Sequence, residues 1–209
     1  MKIVNSRVDP LIKFVKDKTV LDIGCIGMGT EDAYGGKNWI HGKMVKVAKK
    51  VVGIDIQKKE VEKLRKRGFD IRLQNAEEPF NLNEEFDVVM AEEVIEHLSN
   101  LKTFFANIHR HLKDNGLLII TTPNPQAFEF FLQKLLFGKT LINPCHTHWQ
   151  NEITLRYTLE SNGFELINYF FVEEWAENLR GKMFQTLFFW LPQCFARSGV
   201  YIAKKKVKN

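Results

Sequence analysis

Two short segments constrain this chain more than any other feature: VLDIGCIGMG at residues 20–29 and VVGIDI at residues 51–56. Each contains a β-branched, apolar run of the kind that forms a parallel strand buried on both faces. The first runs into a glycine-rich turn and the second reaches a carboxylate, Asp55. In a doubly wound α/β sheet, ligands sit beyond the carboxyl ends of the strands, where the strand order reverses. Glycines let the backbone approach a ligand closely, and an acid at the tip of the second strand can accept both hydroxyls of a ribose. The two segments therefore predict a site for an adenosine-containing cofactor.

The rest of the chain keeps strand and helix in alternation. Helices are expected over about 5–16, 39–49, 57–68 and 101–112, the third closed by Gly68. Strands are expected at 19–23, 51–55, 70–73, 87–90 and 117–121, with Asp114-Asn115-Gly116 as a turn before the fifth and Pro123 and Pro125 stopping it. Such alternation implies right-handed crossovers and a parallel sheet. Two further strands, at 164–174 and 198–206, flank a long apolar segment and are expected to form an antiparallel final pair. No repeat or low-complexity linker divides the chain, so residues 1–209 are expected to form one domain.

These segments, in this order, resemble the class I S-adenosylmethionine-dependent methyltransferases. FDVVMAEEVIEHL (86–98) looks like that family's fourth strand and the helix after it, and GLLIITTPN (116–124) like its fifth strand and exit turn. HTHWQNEITLRYTLESNGFEL (146–166) is similar to the late helix and sixth strand of small-molecule, quinone and glycan methyltransferases. The resemblance covers roughly residues 18–172. It implies a doubly wound, seven-stranded, mostly parallel Rossmann-like sheet with an antiparallel last strand, and S-adenosyl-L-methionine as cofactor. It also implies site roles. Asp22 would belong to the cofactor site, backbone groups around Gly24, Cys25, Gly27 and Gly29 would meet the methionine end of the cofactor, Asp55 its ribose, and Ile56 its adenine face. Asn75 and Ala76 would meet the adenine edge with Glu77 next to them, and Ala91 and Glu92 would line the sulfonium side.

One departure stands out. Ile26 occupies the place of the family's second loop glycine, and Gly27 is expected to supply the close approach one step later. The segment between Gly24 and Asp55 is also longer than is common in the family, the extra length lying at residues 28–43. Its Tyr34, Trp39 and His41 could shield the cofactor as a lid, or Trp39 could pack the following helix into the core. A non-catalytic scaffold that merely binds the cofactor is the alternative left open by the broken glycine motif.

Candidate catalytic residues are His97, His146 and His148. His97 follows Glu93 and Glu96 in EVIEH, and on a helix these three would share a face that could hold a divalent ion. No metal is expected from the cysteines, since Cys25, Cys145 and Cys194 are far apart, which also fits a reducing cytoplasm. His146 and His148 lie beyond the fifth strand, where the family places acceptor-facing residues, and imidazole titrates near neutral pH. The place after the fourth strand reads MAEEV, without the Asn/Asp-Pro-Pro-aromatic turn of nucleobase amino-methyltransferases. Nucleic acid is therefore not an expected partner, and the acceptor is expected to be a small molecule, a glycan or a lipid-linked intermediate, with oxygen favoured as the methylated atom.

Two apolar stretches, within 126–142 and 175–196, are expected to cap the sheet, each shorter than the roughly 20 residues that span a bilayer. They predict an apolar roof over the acceptor, a homodimer face or, with the basic tail at residues 204–209, a peripheral contact at the inner membrane surface. No signal-peptide-length apolar run opens the chain, so a cytoplasmic location is expected.

Overall fold

The computed structural model describes residues 8–27, 39–140, 142–173 and 192–206. Helices α1 (Val8–Val15), α2 (Ile40–Met44), α3 (Lys58–Lys66), α4 (Leu101–His111), α5 (Phe128–Phe137) and α6 (Glu152–Ser161) accompany strands β1 (Thr19–Ile23), β2 (Lys50–Asp55), β3 (Ile71–Leu73), β4 (Phe86–Glu92), β5 (Leu112–Pro123), β6 (Phe164–Val172) and β7 (Ser198–Lys205). The strands form one seven-stranded sheet in the order β3-β2-β1-β4-β5-β7-β6. β1 to β5 pair in parallel, while β7 runs antiparallel to both β5 and β6. The doubly wound sheet and antiparallel last strand expected from the sequence are thus present.

Strand pleating divides the core. Leu21, Ile23, Val52 and Ile54 turn to one face, where they pack with Phe104, Phe105 and Ile108 of α4 and Leu155 and Leu159 of α6. Val20 and Val51 turn to the other, against Leu11 and Val15 of α1 and Ile40 and Met44 of α2. Each fully buried Leu, Ile or Phe contributes about 1.5–3 kcal/mol of transfer free energy. The same alternation sends Asp22 and Gly53, which are register partners, toward the α2 side. Gly53 has to be glycine: a Cβ there would lie 2.6 Å from Cys25 Sγ, 2.9 Å from His41 Cε1 and 3.0 Å from Ile71 Cγ1. Gly53→Ala is expected to cost about 1–3 kcal/mol through this overpacking, measured by urea unfolding. An unchanged midpoint would show that these neighbours can yield.

Two expectations need correction. The sequence Asp114-Asn115-Gly116 is not a turn ahead of the fifth strand but part of an irregularity within β5. Register passes from Phe86↔Leu112 to Val88↔Leu117, so the single residue Asp87 faces residues 113–116. Lys113, carried on this bulge, reaches Asp87 Oδ1 at 2.8 Å, while Asp87 Oδ2 accepts the Thr19 backbone N–H and hydroxyl, both at 2.8 Å. The Lys113 ammonium first, then the Thr19 donors, hold the Asp87 carboxyl well below the usual carboxylate range. A depressed folded pKa stabilises the protein above the unfolded value of about 3.9, and the benefit is lost as pH falls through the lower folded value. Asp87→Asn is accordingly expected to cost about 1–2 kcal/mol at pH 7 and progressively less as pH falls below about 4. Urea titrations at the two pH values check it, and a pH-independent difference would contradict it. The second correction is that residues 93–98 do not form an α-helix directly after β4: Ile95–His97 forms one turn of 3-10 helix ahead of α4, and Glu93 before it has φ +50.

Candidate functional site

Sheet register gathers the chemistry at one edge. Ile23 pairs with both Ile54 of β2 and Ala91 of β4, so Gly24, Asp55 and Glu92, each the next residue on, stand side by side at the strand tips. Here the strand order reverses, with β1 between β2 and β4.

The turn after β1 is held on every side. Gly24 has φ +73 and Gly27 φ +69, a region that favours glycine. At Gly24 a Cβ would also lie 2.5 Å from Val94 Cγ2. The N–H groups of Gly24 and Cys25 donate to the Ile54 carbonyl, that of Ile26 to Asp55 Oδ2 at 3.1 Å, and that of Gly27 to the Gly24 carbonyl. With these four donors engaged inside the protein, the turn offers a ligand the spare lone pairs of its carbonyl oxygens, three of which already accept one hydrogen bond each, and these suit a cationic group such as an ammonium. Ile26 does not obstruct the ligand side, because its side chain is buried with Cys25, Val61, Leu64 and Ile71. Gln57 Nε2 donates to the Gly27 carbonyl at 2.6 Å, a contact with no local sequence signal. Asp22 lies beneath the turn, and burial pushes its carboxyl up while His41 pulls it down. Burial likewise pushes the Cys25 thiol far up, which makes it inert packing rather than a nucleophile. Gly29 and Tyr34 lie outside the described residues.

Asp55 is buried, with Oδ1 accepting the Gln57 N–H at 3.0 Å and Oδ2 the Ile26 N–H. Each oxygen retains a second lone pair for a hydroxyl donor. Ile56 beside it is 69% exposed, an apolar side chain standing in solvent at the strand tip. Across the edge, Asn75 Oδ1 accepts the Glu77 N–H, and Ala76 is buried. Glu77 turns its carboxylate to the start of α4, where Oε1 accepts the N–H groups of Ser99 and Asn100. Ala91 is buried in β4, and Glu92 ends that strand half-buried.

Beyond β4 the structure brings together residues about fifty positions apart. Ligand atoms of Glu96, His97 and His146 lie within 4.8 Å of one another. The two imidazoles meet edge to face, 4.7 Å between centroids. Glu93, which the sequence placed with Glu96 and His97 on a helix face, is turned instead to Thr121, whose hydroxyl donates to its Oε1 at 3.2 Å. The left-handed backbone at Glu93 breaks the helical spacing. Glu96 is buried and takes the Thr122 hydroxyl on Oε2. Its carbonyl accepts the backbone N–H groups of Thr147 and His148, which anchors the loop carrying His146. His148 is half-buried beside this anchor and is not among the three clustered side chains.

Cys145, which sequence reasoning left aside, sets the His97 tautomer. Asn143 Oδ1 accepts the Cys145 backbone N–H at 3.2 Å, so that atom is the oxygen, and the thiol 3.0 Å away donates to it as well. Its sulfur is left to accept from His97 Nδ1 at 3.2 Å, and the lone pair of His97 falls on Nε2. The cluster thus offers a carboxylate and imidazole nitrogens, a set able to take a proton or hold a divalent cation. Burial first, then the His97 charge, lowers the His146 pKa from its ordinary 6.5.

The chain is similar to known proteins. The methyltransferase-domain family profile matches residues 4–169. The chain is 32% identical over 145 residues to a Mycolicibacterium smegmatis protein named a probable S-adenosylmethionine-dependent methyltransferase, covering 68% of this chain and 54% of that protein. It is 30% identical over 163 residues to the mitochondrial ubiquinone biosynthesis O-methyltransferase of Rattus norvegicus, covering 70% and 44%. The chain therefore spans about half the length of these two relatives. Among solved structures, a SAM-dependent methyltransferase from Archaeoglobus fulgidus superposes with TM-score 0.62 at 21% identity, covering 95% of this chain and 91% of that one. Magnesium protoporphyrin IX methyltransferase from Synechocystis PCC 6803, solved with bound SAH, also gives TM-score 0.62, at 15% identity, covering 95% and 82%. These two likenesses concern the fold.

Proposed function

Because this chain belongs to the methyltransferase-domain family of class I, S-adenosylmethionine-dependent enzymes, we propose that it transfers a methyl group from S-adenosylmethionine to an oxygen of a small-molecule acceptor. The observation that carries the reading is the shared level of the glycine turn, Asp55 and Glu92, with the Glu96–His97–His146 cluster one turn further on. The cofactor fits the residues present: carbonyls of the turn suit its ammonium, the spare lone pairs of Asp55 its ribose hydroxyls, and exposed Ile56 its adenine face. Asn75, Ala76 and Glu77 would border the adenine edge, with Ala91 and Glu92 toward the sulfonium. When bound, the cofactor supplies an electrophilic methyl on a sulfonium with an excellent neutral leaving group. What remains for the protein is to orient the acceptor, exclude water and remove the hydroxyl proton. His146 takes that proton, being neutral at pH 7 through its lowered pKa.

Oxygen and a quinone-type acceptor are favoured by the relatives named for ubiquinone biosynthesis O-methylation. An apolar acceptor also suits α5, which exposes Phe131, Leu135, Leu136 and Phe137 beside Lys134. The counterpart segment at 175–196, apart from residues 192–196, lies outside the described residues. Among the described residues no helix is long and apolar enough to cross a membrane, so any association through α5 would be peripheral. Flotation with anionic liposomes, read beside sedimentation in free solution, separates that association from a homodimer.

Calorimetry with S-adenosylhomocysteine and with NAD tests the cofactor, and methyl transfer to a prenylated catechol tests the acceptor class. Binding of S-adenosylhomocysteine but not NAD, together with transfer, is the expected result. Tight NAD binding alone would overturn the reading. Cofactor binding without transfer to any hydroxyl acceptor would favour a scaffold.

A further inference from the structure

Two residues of the segment between β1 and β2 do something the sequence does not suggest. Trp39 and His41, candidates for a solvent-side shield, are turned inward beneath the glycine turn. Trp39 Nε1 donates to the Cys25 carbonyl at 2.9 Å, and the indole ring lies against Gly42, where a Cβ would come within 2.5 Å of it. His41, 1% exposed, brings Nδ1 to 2.8 Å from Asp22 Oδ2, over the space that Gly53 leaves open. Its ring packs against those of Trp39 and Phe69, at centroid distances of 5.4 and 5.9 Å, and those two rings also meet each other at 5.0 Å. Among the described residues His41 Nε2 has no hydrogen-bond partner, so Asp22 is the polar contact that fixes this imidazole.

We propose that Trp39 and His41 are positioning residues for the cofactor, a clamp that sets the direction of the Cys25 carbonyl and the seat of the Asp22 carboxylate beneath the glycine turn. The physical need is specific. Ile26 stands where a glycine would allow close packing, and its side chain is drawn down into the core beside Cys25. A turn with a bulky residue drawn inward presents its carbonyls correctly only if something fixes the peptide planes on either side. Asp55 fixes the Ile26 N–H, Gln57 the Gly27 carbonyl and Trp39 the Cys25 carbonyl. His41 completes the set by hydrogen-bonding the buried acid at the root of the turn. An unpaired carboxylate there would be driven to protonate or to draw in water, and either would loosen the segment the ligand must meet.

The proposal rests on the cofactor site described above, and the test keeps the two separable. Trp39→Phe removes the indole N–H together with one ring of the indole, His41→Leu removes the imidazole donor, and His41→Asn restores an N–H near the position of Nδ1. S-adenosylhomocysteine binding is measured by calorimetry, and hydrogen exchange is followed at the Cys25, Ile26 and Gly27 amides of the unliganded protein. Trp39→Phe and His41→Leu are expected to raise the Kd about five- to twenty-fold, the scale of one or two lost hydrogen bonds. Exchange at the turn should quicken while protection in β1 and β4 is unchanged, and His41→Asn should bind within about three-fold of the parent. If His41→Leu fails to fold, Trp39→Phe carries the test alone. Unchanged Kd and unchanged exchange at the turn in Trp39→Phe would overturn the clamp. If Asp55→Ala, run in parallel, weakens binding while the clamp variants do not, only this proposal falls. If Asp55→Ala also leaves binding unchanged, the cofactor site itself is misplaced.

Discussion

His146→Gln is expected to lower kcat for methyl transfer to a phenolic acceptor by about 10²–10⁴, the usual contribution of a positioned general base, with cofactor binding unaltered. The prediction follows from where the loop after α5 is held. The Glu96 carbonyl takes the backbone N–H groups of Thr147 and His148, which sets His146 against His97 rather than in solvent. The base must be neutral to accept the hydroxyl proton, so activity rises as pH increases through its pKa. Burial, and secondarily the neighbouring His97, lower that pKa, so the acid limb of kcat/KM should lie below the ordinary imidazole value of 6.5. His97→Gln removes the second cause and should shift the limb part of the way back up, because burial, the larger cause, remains. A pH–rate profile of the three proteins decides the matter. An acid limb at the same pH in parent and His97→Gln, with His146→Gln fully active, would remove His146 from the mechanism.

Asp55→Ala should weaken S-adenosylhomocysteine binding by about 1.5–3 kcal/mol, or roughly ten- to 150-fold in Kd, the scale of charge-assisted hydrogen bonds. Two losses combine. The ribose loses its acceptor, and the Ile26 N–H loses the carboxylate oxygen that holds it. Asp55→Asn retains one acceptor oxygen and should fall between the parent and the alanine variant. The sheet core does not depend on this side chain, so urea unfolding should move much less than binding. Calorimetry beside unfolding separates the two effects, and an alanine variant that binds as tightly as the parent would refute the placement of Asp55 on the ribose.

The strands were legible because their signals are local. β1 was expected at 19–23 and is found there, and β2 begins one residue earlier than expected, since a β-branched run between charged or polar flanks needs no distant partner to be recognised. β5 was misjudged at its start for the opposite reason. Asp-Asn-Gly is a turn signal in isolation, but Asp87 of the neighbouring strand and Lys113 bind it into a bulge. Likewise EVIEH has helical spacing, yet Glu93 in the left-handed region, bonded to Thr121, leaves room for only one 3-10 turn.

From the sequence alone came the doubly wound fold, the position of the glycine turn and the acid at the tip of β2, because each depends on residue type and period within a few positions. The tertiary structure alone decided which way Ile26 faces, that Trp39 and His41 hold the turn from beneath, and that His146 and Cys145 rather than Glu93 complete the surroundings of His97. The bonds and ring contacts of Trp39, His41, Cys145 and His146 join residues between 14 and 49 positions apart. They exist because strand register and buried charge pairing bring the elements together, and no local pattern carries that information.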